Sequence, residues 1–300
     1  MSMSMQNRSN RRQFLKTALT AAGGVALLGS CQSWGSSPTD KRSARWAFMA
    51  DTHIPADPEN NYRGFYPYRN LEQVVGQVAA DPPEGAIIAG DLARLEGLPG
   101  DYANARKLLT PLTEKRPVCV ALGNHDNREN FLAAFTNPGG SQQDVRGKHV
   151  VVVDAGPVQL VVLDSLLFTN KVPGLLGQAQ RNWLRQYLQA SSDKPTMLFF
   201  HHTLGDGDGD LLDAPRLFDI VQPAPNVKAL VFGHSHAYSY GQFEGIHLIN
   251  LPASGYNFND AQPVGWVEAQ LTATGGHFIC HAVGGNTEID GQVKTLKWRT

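Results

Sequence analysis

The chain has 300 residues, 42% of them hydrophobic and 18% charged, a composition that supports a folded domain and excludes a disordered polar chain. Its formal net charge is −1, and the N-terminal stretch contributes Arg8, Arg11, Arg12 and Lys16 without an acid, so the remainder is more acidic still. That balance argues against a nucleic-acid-binding surface.

The run Ser9-Asn10-Arg11-Arg12-Gln13-Phe14-Leu15-Lys16 precedes a small-residue apolar segment from Ala18 to Leu28, too short to span a bilayer as a stable helix. It resembles a twin-arginine export signal. Leu27-Leu28-Gly29-Ser30-Cys31 then resembles a lipobox, which implies that Cys31 is diacylated and anchors the protein to a membrane. The alternatives are an ordinary secretory signal with two basic residues and, for Cys31, a free thiol beyond a conventional cleavage site. Each of these places the protein outside the cytoplasm, in the periplasm or at the cell surface. Residues 1–31 are therefore expected to be the export signal, and 32–43, rich in Ser, Gly, Pro and charge, a flexible tether.

The folded domain is expected over 44–300. An apolar run over 46–50 reads as a strand, Leu71, Val74, Val75 and Val78 fall at helical spacing, and 86–89 reads as a second strand. A helical pattern over 101–109 leads into a strand at 118–122, and a further helix is expected over 130–135. Strands at 150–153 and 158–163 precede a helix carrying Trp183, Leu184, Tyr187 and Leu188. Strands follow at 197–200, at 229–232 and several times up to Ile279. Alternating units early and consecutive strands late predict an α/β protein with two sheets face to face and helices outside. Cys119 and Cys280 lie in apolar, strand-like runs and read as core residues, with a disulfide between them left open.

Five clusters of metal-ligand residue types each fall just after a predicted strand, where loops can present side chains to a shared cleft: Asp51-Thr52-His53, Gly90-Asp91, Gly123-Asn124-His125-Asp126, His201-His202 and Gly233-His234-Ser235-His236. Mixed carboxylate and imidazole ligation favours Mn, Fe or Zn over Ca or Mg. In this order the clusters match the D-x-H, GD, GNH-acid, H and GHxH motifs, and residues 45–255 resemble the calcineurin-like metallophosphoesterases.

The resemblance implies a four-layer α/β/β/α sandwich of two mixed sheets flanked by helices, and two transition-metal ions. One ion would be held by Asp51, His53, Asp91 and His236, the other by Asp91, Asn124, His201 and His234. Such a pair polarises a bridging water into hydroxide and neutralises phosphoryl charge. It also implies that His125 protonates the leaving oxygen or stabilises the phosphoryl group, with Asp126 orienting its imidazole. The substrate would be a small-molecule phosphoester, with the cyclic-nucleotide and glycerophosphodiester phosphodiesterase branch closest in look. A phosphomonoesterase or nucleotidase on the same scaffold, and a non-catalytic metal-binding lipoprotein, remain alternatives.

Other residues are less determined by sequence. Successive strand residues point to opposite faces, so one member of the His201-His202 pair is expected to ligate, and His201 is chosen. His202 and Arg128 are candidate substrate contacts, with a surface role open for Arg128. Tyr62, Phe65, Tyr66 and Tyr68 either stack on a substrate or pack on the core. Gly205 to Asp210 superficially resembles a calcium loop but lacks Gly at the sixth position and an acid at the twelfth, and is expected to be a mobile loop over the cleft. His149, His247, His277 and His281 read as structural.

Overall fold

The computed structural model describes residues 42–191 and 193–300, so the expected export signal, Cys31 and all but the end of the tether lie outside the described residues. Strands β1 (Ser43–Met49), β2 (Gly85–Ala89) and β3 (Val118–Ala121) run parallel to one another. On the other side of β1 the antiparallel strands β11 (Pro263–Thr272), β12 (Gly275–Gly285) and β13 (Val293–Lys297) complete a six-stranded sheet of order β13-β12-β11-β1-β2-β3. A second, seven-stranded sheet contains β4 (Ser141–Gln143), β5 (Val150–Asp154), β6 (Gln159–Val162), β7 (Thr196–Phe199), β8 (Val227–Phe232), β9 (Ser239–Phe243) and β10 (Ile246–Asn250). Its order is β4-β5-β6-β7-β8-β10-β9. Parallel and antiparallel pairs occur in both sheets, as expected.

The central strands are largely apolar because both of their faces are covered. In β1, Trp46 and Phe48 point between the sheets while Ala47 and Met49 point to the outer helices; β7 does the same with Met197 and Phe199 against Leu198. Phe48 and Phe199 meet edge to face with ring centres 4.8 Å apart. Helices α1 (Pro67–Ala80) and α2 (Pro99–Thr113) bury their apolar stripes on the outside of the first sheet, and α4 (Gly177–Ala190) and α5 (Ala214–Val221) cover the second. The short α3 (Arg128–Ala134), capped by the Asn127 side chain, follows β3. The result is the four-layer α/β/β/α sandwich.

Elements not anticipated include the three-residue β4, α5 and β13. Helix α5 is only eight residues long, and its Leu217, Ile220 and Val221 give a single helical turn of pattern. Strand β13 is an edge strand in which Leu296 alone is buried, so its sequence carries little alternation. Cys119 and Cys280 are both buried and unpaired. They sit on β3 and β12, four strand positions apart, or roughly 19 Å at the usual spacing, which rules out a bond between them. Among the described residues no helix is long and apolar enough to cross a membrane.

Candidate metal centre

Parallel strands of both sheets end at one cleft, and each ligand-type residue leaves the C-terminal end of such a strand. Asp51 and His53 follow β1, Asp91 follows β2, Asn124 and His125 follow β3, His201 follows β7, and His234 and His236 follow β8. Five of them, Asp51, His53, Asp91, His234 and His236, have φ between 48° and 72°. Left-handed backbone at non-glycine residues persists only where the surroundings enforce it, and it collects at functional sites. The motif glycines give room to ligands from other strands. A Cβ on Gly123 would stand 2.2 Å from Asp91 Oδ1, and one on Gly233 would stand 2.3 Å from Asp51 Oδ2.

Every imidazole is held by a backbone carbonyl. His53 Nδ1 donates to Arg94 O at 3.2 Å, His236 Nδ1 to Tyr256 O at 2.6 Å, His201 Nδ1 to Ala89 O at 2.9 Å, and His234 Nε2 to Gly209 O at 3.0 Å. Because a carbonyl can only accept, these contacts fix which ring nitrogen carries the proton and turn the other inward. His53 Nε2 and His236 Nε2 then face each other at 3.1 Å, and in their neutral forms neither can donate. His201 Nε2 and His234 Nδ1 face each other at 3.2 Å. The buried Asn124 Oδ1 has no hydrogen-bond partner. Convergent lone pairs beside an unsatisfied carbonyl oxygen fit cations at these points.

The carboxylates complete two sets that a third group links through His53 and Asp91. Asp51, His53 and His236 bring ligand atoms within 4.8 Å of one another, as do Asp91, His201 and His234, and His53 and His125 also group with Asp91. Burial alone would raise both carboxyls, but the neighbouring imidazoles outweigh it, holding Asp51 below and Asp91 well below the usual range. Burial pushes His53 down to about 3 and, with the charge of His201, His234 down to about 4. For His201 burial is outweighed by Asp91 and Asp51, which hold it at about 9. In the metal-free protein its Nε2 proton points to Asp91 Oδ2, 3.2 Å away, and must leave before that nitrogen can ligate.

Several expected roles change. Asp126 does not orient His125. Its buried carboxylate accepts the backbone N–H groups of Leu92, Ala93 and Gly123 at 3.2, 3.1 and 2.9 Å, and the Tyr102 hydroxyl at 3.2 Å, tying the loop after β2 to the loop after β3. Burial and the charge of Asp91 push it up to about 6 against those donors. The His125 ring is held instead by its Nδ1 donating to Leu95 O at 2.9 Å, while its backbone N–H donates to Asp91 Oδ1 at 2.8 Å.

Arg128 is committed to a carboxylate of its own chain: its Nε and Nη2 donate to Asp164 at 2.7 and 3.0 Å, and Nη2 also to Leu166 O. His202 is fully buried, with Nδ1 against Ser165 Oγ at 2.8 Å, so it is a packing residue beneath the site rather than a substrate contact. Gly205 to Asp210 is pinned: the Asp210 carboxylate accepts from Gly207 N and the Thr203 hydroxyl, and Gly209 O holds His234. Of the four nominated aromatics Tyr62 faces the site, its ring 4.8 Å from that of Tyr256. Tyr256 and Phe258, which lie against His236 at 4.7 and 4.5 Å, belong to no motif and went unseen.

A family model described as calcineurin-like phosphoesterase matches residues 44–238. The chain belongs to the calcineurin-like phosphoesterase family. As a member it is a metal-dependent phosphoesterase, and its inward-facing donors fit a two-metal centre. It is 28% identical over 229 residues, 74% of this chain and 80% of the relative, to a 3',5'-cyclic adenosine monophosphate phosphodiesterase of Pseudomonas aeruginosa. It is 27% identical over 221 residues, 69% of this chain and 76% of the relative, to a glycerophosphodiester phosphodiesterase of Enterobacter lignolyticus. Among solved structures a dimetal phosphatase from Danio rerio superposes with a TM-score of 0.64 at 16% identity, covering 85% of this chain and 98% of that one, which is a likeness of fold.

Proposed function

We propose that this calcineurin-like phosphoesterase is an exported, lipid-anchored phosphodiesterase that uses two transition-metal ions, drawn from Mn, Fe and Zn. The observation that carries the metal assignment is the pair of inward-turned imidazole nitrogens, His53 with His236 and His201 with His234, each fixed by a carbonyl behind it. Asp51, His53, Asp91 and His236 would hold one ion and Asp91, Asn124, His201 and His234 the other. When bound, the pair supplies Lewis acidity toward a phosphoryl group and an attacking water.

The chain's own residues do the rest. The His125 Nδ1–H is committed to Leu95 O, which leaves Nε2 facing the cleft; in its imidazolium form that nitrogen carries the proton that goes to the departing oxygen and keeps the Nδ1–H in place. The backbone bond from His125 to Asp91 keeps that imidazole in register with the metal ligands. A diester rather than a monoester is supported by the names of the two curated relatives, both phosphodiesterases.

The full chain is expected to hold about two metal ions by elemental analysis and to hydrolyse bis(p-nitrophenyl) phosphate faster than p-nitrophenyl phosphate. Preference for the monoester would move the assignment to a phosphomonoesterase or nucleotidase, and bound metal without turnover of either ester would leave a metal-binding lipoprotein. The export reading rests on Arg11-Arg12 and on Cys31. Cys31→Ser is expected to move the protein from the membrane pellet to the soluble extracytoplasmic fraction, and unchanged fractionation would remove the anchor.

A further inference from the structure

Arg94 lies three residues beyond Asp91, and its carbonyl is the one that holds His53. Its side chain runs across two rings, the guanidinium carbon lying 4.9 Å from the centre of Tyr62 and 5.4 Å from that of Tyr256. Tyr256 also rests on His53, with ring centres 4.8 Å apart, so one ring touches both the guanidinium and a candidate ligand. Its one hydrogen bond is Nε to Asn60 Oδ1 at 3.3 Å. Both terminal nitrogens lack a partner among the described residues, and no carboxylate pairs with them. Asp101 feels the Arg94 charge, but its carboxylate is taken up by backbone groups, those of Leu98, Ala56 and Arg94, and not by the guanidinium. The other arginines beside the cleft are occupied, Arg128 by Asp164 and Arg63 by Phe258 O.

A guanidinium resting over aromatic rings, with both terminal nitrogens open, is placed to receive an oxyanion. We propose that Arg94 forms an anion subsite for a second negative group on the substrate, a carboxylate or phosphate carried on the alcohol arm. The arm itself lies along Tyr62 and Phe258, which are 40% and 49% exposed at the mouth. The proposal rests on the phosphoester reading of the metal centre and names the class of substrate within it: phosphoesters with two separated anionic ends.

The test uses the full chain loaded with manganese and stable phosphonates that differ in the far group, namely propylphosphonate, 3-phosphonopropionate and ethane-1,2-bisphosphonate with their longer homologues. Calorimetry gives each dissociation constant. At the best chain length a doubly ended probe is expected to bind at least about tenfold more tightly than its alkyl counterpart. Arg94→Gln is expected to bring that ratio to near one and Arg94→Lys to leave an intermediate value, with bound metal measured in each variant to show that the site persists. Comparing the carboxylate and phosphonate ends shows which anion the fork prefers. Equal affinities in the wild type, or an advantage that survives in Arg94→Gln, would overturn the subsite and leave the phosphoester reading intact. Failure of propylphosphonate to bind at all would instead sink that reading and the subsite with it.

Discussion

Asp91→Asn is expected to bind fewer than two metal ions and to lose more than about a thousandfold in kcat/KM on bis(p-nitrophenyl) phosphate, more than the removal of a single oxyanion donor usually costs. Asp91 is the residue that faces both halves of the centre: its Oδ2 lies 3.2 Å from His201 Nε2 and 3.8 Å from His53 Nε2. Its Oδ1 accepts the His125 N–H. The amide keeps the shape and can still accept that N–H, so the loop after β3 has no reason to move. What it loses is the charge that two cations would share. The measurement is metal stoichiometry beside kinetics, with a thermal melt showing that the fold is kept. Two tightly held ions and near-normal turnover in Asp91→Asn would refute the ligand assignment.

The metal centre was legible in the sequence because every ligand is a side chain of telling chemistry placed at the end of an apolar run. The glycines beside them are legible too once their reason is seen, since Gly123 and Gly233 leave space for Asp91 and Asp51. The layer architecture followed from runs such as 46–50 and 197–200, whose two faces are both covered. What sequence did not carry were the supports. Leu95, Arg94, Tyr256, Ala89 and Gly209 act through backbone carbonyls, which every residue possesses, so no residue type announces them. Asp126 was read through its neighbour His125, yet adjacent residues in a turn diverge, and its partners besides Gly123 lie on another loop and on α2. Arg128 was read through its nearness to the motif, while its partner is 36 positions away in the chain.

That partner sets the second large effect. Asp164→Ala is expected to destabilise the metal-free protein by about 3 kcal/mol, read from urea denaturation, because it leaves two partly buried cations without their carboxylate. Asp164 is fully buried at the end of β6 and takes the Arg128 fork, with Lys148 Nζ 3.8 Å away. It also accepts the backbone N–H groups of His149 and Leu166. Two of these four neighbours are charged, and the Lys148 ammonium donates to the Leu166 and Leu175 carbonyls. Replacing both members, Asp164→Leu with Arg128→Met, is expected to cost less than Asp164→Ala alone, since no guanidinium is then stranded. Arg128→Met on its own decides what Arg128 does. As a clamp between α3 and β6 it makes Arg128→Met shift the denaturation midpoint with little change in KM. A role at the substrate would raise KM and leave the midpoint in place, and the closed fork on Asp164 argues that the midpoint is what moves.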